Sequence, residues 1–370
     1  MQADHPAEKG TGQTSHATKG ERMKTRHHTR HKRVILTVFT FVTIMFAQTL
    51  PTAGAKVRTG TVTLEIDLSV QGAEKSVRLW VPYPVSDKHQ LIGDIAVKGD
   101  YEASGVYTDR EHGTPMFYAS WPENSASKTL LLTFSVERRE IVRGEFPSKE
   151  QPWNPEDYGR YLKATSLGPV DGAVKKLANE ITEGKEAVFD KAKAIYDWTV
   201  DNMFRDPSTV GCGKGDVCAL LQRPGGKCTD ISSVFVALCR AAGVPTREVF
   251  SIRLGKDSEV DTTTHQHCWA EFFLPGYGWV SVDPADVRKA MLVEKLELEE
   301  KKTKEYQNYF WGNIDPYRVV IARGRDVVLN PPQNGPPLNT FGYPYAEVDG
   351  KPLDFYQPQS FIYRYTFKSK

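Results

Sequence analysis

Between residues 57 and 142 apolar and polar positions alternate. In Thr61–Leu68 the side chains of Val62, Leu64, Ile66 and Leu68 fall on one face, the period-two pattern of a half-buried strand. Val77 to Val81 is a second such run, stopped by Pro82-Tyr83-Pro84, and Leu130 to Val136 is a third. Clusters of Gly, Asp and Asn separate them, and the pattern predicts a small β-domain packed as a sandwich-like sheet. From Asp171 the period lengthens. Val174, Leu177, Ala178 and Ile181 recur at three and four positions, with Asp171 as N-cap and Gly184 as stop. Val188, Ala192, Ile195, Tyr196, Thr199 and Met203 form a second helical stripe, best read as core packing.

Residues 205–227 read as loop, rich in Gly and Pro. A helix then begins at or beside Cys228, with Ile231, Val234, Phe235, Leu238, Ala241 and Ala242 on its apolar face, Gly243 at C′ and Pro245 beyond. His267–Phe273 and Trp279–Asp283 read as the two strands of a hairpin around Leu274-Pro275-Gly276-Tyr277-Gly278. Glu294 to Glu305 is expected to be a charged, exposed helix, and residues 314–370 return to strand and turn. The fold class is α+β, with β-rich regions on either side of a mixed middle. The ranges expected are 1–55 as leader and signal peptide, 56–150 as β-domain, 151–300 as core and 301–370 as a β-rich extension.

The first 55 residues read as an address. Met23-Lys24-Thr25-Arg26, Arg30, Lys32 and Arg33 make a basic region, Val34 to Ala47 carries no charge, and Ala53-Gly54-Ala55 offers a small-x-small cleavage site near Ala55. Met23 is a candidate true start. The apolar run falls short of the ~20 residues of a membrane-spanning helix, although an uncleaved anchor is the alternative. The body is therefore expected to be exported, periplasmic or extracellular, with contact to a membrane only through such an anchor. Net charge is +2 over 370 residues, and much of the positive charge lies before position 34. Nothing in the remainder calls for nucleic acid.

All five cysteines, Cys212, Cys218, Cys228, Cys239 and Cys268, lie between positions 212 and 268. An odd number leaves at least one thiol unpaired in an oxidising compartment. Cys212 and Cys218 are close enough in sequence for a loop disulfide; Cys239 and Cys268 are expected to be core residues. Cys228 stands apart because it follows Gly225 and Gly226 at a helix start. The positive end of a helix favours thiolate over thiol, its free N–H groups can receive an oxyanion, and glycine permits close approach of a substrate. A thiolate nucleophile needs an acid–base partner, and that partner needs an acceptor to fix its tautomer. If the hairpin pairs odd positions with odd, His267 and Asp283 share a face and supply both. Trp269, on the same face, is a candidate to shield the pair or touch substrate. Cys212, Cys218, His265 and His267 could together hold zinc, but their spacing matches no standard zinc module. No cofactor or metal is expected.

Gly226-Lys227-Cys228-Thr229-Asp230, Phe235 to Arg247, His267-Cys268-Trp269-Ala270-Glu271 and Gly278 to Pro284 resemble the core blocks of the transglutaminase-like superfamily. The match covers roughly residues 170–290; Leu79 to Pro84 and Arg323-Gly324-Arg325-Asp326 more loosely resemble bacterial exported members. The resemblance implies a papain-like core, a helix bearing cysteine packed on an antiparallel sheet bearing His and Asp. It also implies Cys228 as nucleophile, His267 as base and Asp283 as third member. The second oxyanion donor is not placed by the motifs; Gln222, six residues before Cys228, has the spacing used by papain-like proteases. No EF-hand loop is present in the sequence, so calcium control is not carried over. The function expected is thiol-dependent acyl transfer or hydrolysis on peptide or protein amides, with hydrolysis preferred. The alternative is a catalytically silent exported binding or envelope-assembly module.

Overall fold

The alternating run in 61–68 is realised as β1 (Val57–Asp67), with Val62, Leu64 and Ile66 buried. The strands β2 (Val77–Pro82), β3 (Gln90–Gly99), β4 (Ala103–Thr108), β5 (Pro115–Trp121) and β6 (Thr129–Arg139) follow. The computed structural model describes residues 54–370. The expected leader, the Met23 start and the apolar run lie outside the described residues. Among those described, no helix is long and apolar enough to cross a membrane.

The helical stripes become α1 (Gly172–Ile181) and α2 (Val188–Asn202). Asp171 does occupy the N-cap of α1, but its side chain makes no capping bond. The segment expected as loop contains β7 (Phe204–Arg205), the short helix α3 (Val217–Gln222) and β8 (Gly225–Gly226), which pairs in parallel with β7. α3 is a single apolar stretch without a helical period, so no pattern announces it. Its start is fixed locally, by the Asp216 carboxylate accepting from the Ala219 N–H at 3.2 Å.

α4 (Cys228–Ala241) is buried at every position, not on one face. It is enclosed by the protein, its polar residues Thr229, Asp230, Ser232, Ser233 and Arg240 included, and each fully buried Val, Leu, Ile or Phe contributes roughly 1.5–3 kcal/mol. β9 (Thr246–Arg253), β10 (Glu259–Asp261), β11 (Gln266–Leu274) and β12 (Gly278–Val282) follow. Next comes α5 (Pro284–Glu294), where the sequence pattern suggests only the end of a strand. Asp283 as N-cap and Pro284 in the first turn are helix-start signals. α6 (Lys301–Tyr309) is separate from it. The charged run 294–305 is therefore not one helix, because the left-handed Lys295 ends α5. β13 (Arg318–Arg323), β14 (Tyr345–Val348), β15 (Lys351–Pro352) and β16 (Ile362–Ser369) complete the chain.

Three sheets organise these strands, in the orders β10-β16-β1-β6-β3, β15-β14-β2-β5-β4 and β12-β11-β9-β13. Val62, Leu64 and Phe134 of the first meet Leu79, Val81 and Ala119 of the second in one sandwich core. Residues from the far end of the chain add strands to both: Leu64 lies opposite Tyr365, and Trp80 opposite Tyr345. The third sheet is antiparallel throughout. Cys268, Ala270, Phe272 and Leu274 of β11 share a core with Ile231, Val234, Phe235 and Leu238 of α4. This is a helix bearing cysteine packed on a sheet bearing histidine, the α+β core that the motifs imply.

Candidate active site

The N-terminus of α4 is built around Asp230. Its carboxylate accepts from the Gly215 N–H at 2.7 Å and the Lys227 N–H at 3.0 Å. A Cβ on Gly226 would lie 2.4 Å from that side chain, and one on Gly213 would lie 1.8 Å from it. The glycine before Cys228 thus makes room for an internal carboxylate that fixes the turn; closeness to substrate is not the reason the geometry gives. The Cys212 carbonyl accepts from the Thr229 N–H at 2.9 Å, which brings residue 212 beside the sulfur of Cys228. The Cys228 N–H has no hydrogen-bond acceptor among the described residues.

Cys228 is only 3% exposed and is in contact with His267, Cys212 and Cys268. Its thiol is held well below the usual range. The S–H groups of Cys212 and Cys268 donate towards its sulfur and outweigh burial, and His267 adds a hydrogen bond and its charge. Cys212 and Cys268 move the opposite way and stay protonated. For Cys212 the larger cause is the bond to Cys228, with burial adding to it; for Cys268 it is burial, with Cys228 adding. The Cys212 S–H also has the Gln266 carbonyl within 3.3 Å, and the Tyr343 O–H donates to the Cys212 sulfur at 3.2 Å.

The hairpin register pairs odd with odd, Glu271 opposite Ser281 and Phe273 opposite Trp279. His267 Nε2–H accordingly donates to Asp283 Oδ2 at 2.7 Å, both residues being buried. Asp283 also serves the next helix, its other oxygen capping α5 by accepting from the Asp286 N–H at 2.9 Å. Behind it lies a group of charges that no sequence motif marks. Arg318, fully buried, pairs with Asp283, with Asp286 at 2.7 Å and with Asp315 at 2.6 Å. Arg253 pairs with Asp286 at 2.5 Å. Three carboxylates against two guanidinium groups leave one negative charge to be met by the imidazole. Burial and Arg253 push the His267 pKa down, but Asp283 and Asp286 outweigh them and leave it raised. A lowered thiol beside a raised imidazole is the condition for a thiolate–imidazolium pair.

The remaining predicted residues fall elsewhere. Gln222 is exposed at the end of α3 and is not among the groups touching Cys228. Trp269 is fully buried with Val249, Ile314 and Val320, in a cluster separate from the core that α4 shares with β11. Cys212 and Cys218 are both free thiols, the first buried and the second exposed on α3, so the loop disulfide does not form. Cys268, expected only as core, touches the sulfur of Cys228. Cys212, Cys218, His265 and His267 do not gather. The one ligand-like group among the described residues is His267, Asp283 and Asp286, whose carboxylates already pair with arginine.

A cleft of about 340 Å³ opens beside the pair, lined by Lys227 and Gln266, the neighbours of Cys228 and His267, and by Tyr343, Phe355, Tyr356 and Tyr363. Gln266 is 9% exposed, and its amide nitrogen has no partner. Its side chain could not be singled out from sequence, because only the fold brings β11 against the aromatic C-terminal segment.

The family profile described as the Transglutaminase-like superfamily matches residues 175–284. An uncharacterized protein of Haemophilus influenzae is 38% identical over 323 residues, covering 80% of this chain and 88% of that protein. YebA, an uncharacterized protein of Bacillus subtilis, is 30% identical over 148 residues, 35% of this chain and 20% of that protein. Among solved structures, a Cytophaga hutchinsonii protein provisionally named a cysteine protease aligns with a TM-score of 0.51 and 16% identity. The alignment covers 85% of this chain and 98% of that one, and the likeness is one of fold.

Proposed function

The chain belongs to the transglutaminase-like superfamily, and from that premise we propose that it is a thiol enzyme acting on peptide or protein amides through Cys228, His267 and Asp283. One observation carries the reading: a buried thiol at a helix N-terminus touches an imidazole whose far nitrogen is hydrogen-bonded at 2.7 Å to a buried carboxylate.

With His267 Nε2 bound to Asp283, Nδ1 is the nitrogen left to hold the proton of the ion pair. The Cys228 thiolate adds to the amide carbon, forming a C–S bond and moving the carbonyl electrons onto oxygen. The Cys228 N–H and the unpartnered Gln266 amide are the donors we assign to that oxyanion. His267 then protonates the leaving nitrogen as the C–N bond breaks, which leaves a thioester. In the second half His267 takes a proton from the attacking water, and the sulfur departs as thiolate. Asp283 holds the ring in the tautomer that both halves need. Hydrolysis is the outcome we favour, with an amine as the competing acceptor. The basic segment, apolar run and small-x-small site before residue 56 support action outside the cytoplasm.

The test is a panel of peptides and glutamine-bearing proteins, scored for peptide cleavage, ammonia release and amine incorporation, with Cys228→Ala as control. Cleavage or ammonia release confined to the unaltered enzyme is expected. Iodoacetamide should alkylate Cys228 near pH 6 faster than a free thiol. Alkylation at the rate of a free thiol, with no turnover on any substrate, would leave a binding module instead.

A further inference from the structure

The third sheet has a second occupied face. Turned from α4, Trp269 and Glu271 of β11 line a cavity of about 220 Å³ together with Arg138, Arg143, Arg247 and Arg323. By the same measure a single water needs only ~10–15 Å³. The wall carries five Lys and Arg cations, the fifth being Lys88, against two carboxylates, Asp87 and Glu271. Both carboxylates are engaged: Glu271 with Arg247 at 2.7 Å and Asp87 with Arg323 at 3.2 Å. His89 is pushed down to about 4 by burial and by the charges of Lys88 and Arg138, so near neutral pH it adds no charge.

Arg138 is the odd member. It is 1% exposed, and its Nε and Nη1 donate to the Arg318 and His89 carbonyls at 2.6 and 2.7 Å. Its Nη2 has no partner, and no carboxylate among the described residues lies within ion-pairing distance of its guanidinium. Two more lining residues carry buried donors without acceptors, Trp269 Nε1 and Arg323 Nε. A buried charge without a counter-ion is destabilising, and here three unfilled donors line one space. We propose that this cavity is a binding site for a small anion, a carboxylate or phosphate group, which supplies the counter-ion that Arg138 lacks. Bidentate recognition of such a group is what guanidinium geometry favours.

The site does not depend on the acyl-transfer reading, and its test reads binding alone. The full chain is titrated calorimetrically with inorganic phosphate and, separately, with succinate, each against sodium chloride at equal ionic strength. Saturable one-to-one binding of either anion is expected; the stronger of the two identifies the group. Arg138→Gln should weaken it about tenfold or more, and Arg323→Gln, at the half-buried rim, should weaken it less. If Arg138→Gln does not fold, Arg323→Gln decides. Neither anion binding beyond chloride, or binding unchanged in the folded variants, overturns the proposal.

Discussion

Arg318 and Arg138 are buried to the same degree, 0% and 1% exposed, and are joined through the Arg318 carbonyl. Their surroundings could hardly differ more. Arg318 meets three carboxylates, one of them the acceptor for His267. Arg138 meets backbone carbonyls and an empty bonding position. The arginine beside the acceptor of His267 is held by permanent acids, and its neighbour behind the sheet is, on the proposal above, left for a partner that can come and go. The lesson is that burial alone does not define a charged residue's role; the inventory of its counter-ions does.

The largest expected effect lies on the thiol side. Cys228→Ala should lower kcat on a responsive amide substrate on the order of 10⁶-fold, measured against the same folded state by circular dichroism. Asp283→Asn should follow with a loss of about 10⁴-fold and a changed pH profile. The sign follows from the two groups. The ion pair forms as pH rises through the lowered Cys228 value and is lost as pH rises through the raised His267 value. Removing the carboxylate charge lowers the latter, so the basic limb of kcat/KM should move to lower pH; a basic limb that stays in place would separate Asp283 from His267.

The two arginines are compared directly by denaturant unfolding. Arg318→Met should destabilise by about 3–5 kcal/mol, because it strands buried carboxylates. Arg138→Met removes a charge that lacks a counter-ion and should cost about 1–3 kcal/mol, the penalty of taking its donor from the Arg318 carbonyl, since the His89 carbonyl keeps the Arg139 N–H at 2.9 Å. Equal losses would erase the contrast between the two sites. The smallest effects distinguish two glutamines: Gln266→Ala should reduce kcat by about a hundredfold to a thousandfold, and Gln222→Ala should leave it unchanged.

Much of this is legible in the sequence for local reasons. The alternation at Val62, Leu64 and Ile66 and the stripe at Val188, Ala192 and Ile195 depend on nearest neighbours, and both are realised. Cys228 and the hairpin carrying His267 and Asp283 are likewise compact blocks. What escapes depends on distance along the chain. Cys212 reaches Cys228 only because its carbonyl is bonded to the first turn of α4. Arg318 meets Asp283 across 35 positions, and no pattern local to either announces the pair. α5 escapes for a different reason: Asp283 follows the last residue of β12 and caps the helix, and its place in a triad motif masks the cap.

The first strand of the described chain lies between β6 and the last, with Val62 opposite Phe134 on one side and Phe367 on the other. The aromatic wall of the thiol cleft also comes from the closing stretch, through Tyr343, Phe355 and Tyr356. Contacts of such long sequence separation form slowly. A ribosome that has finished the helix of Cys228 has still not made the pieces that seal the sandwich or shape the cleft. The cleft is therefore completed late, and a nascent or clipped polypeptide carries the Cys228 sulfur without the aromatic wall that lines it.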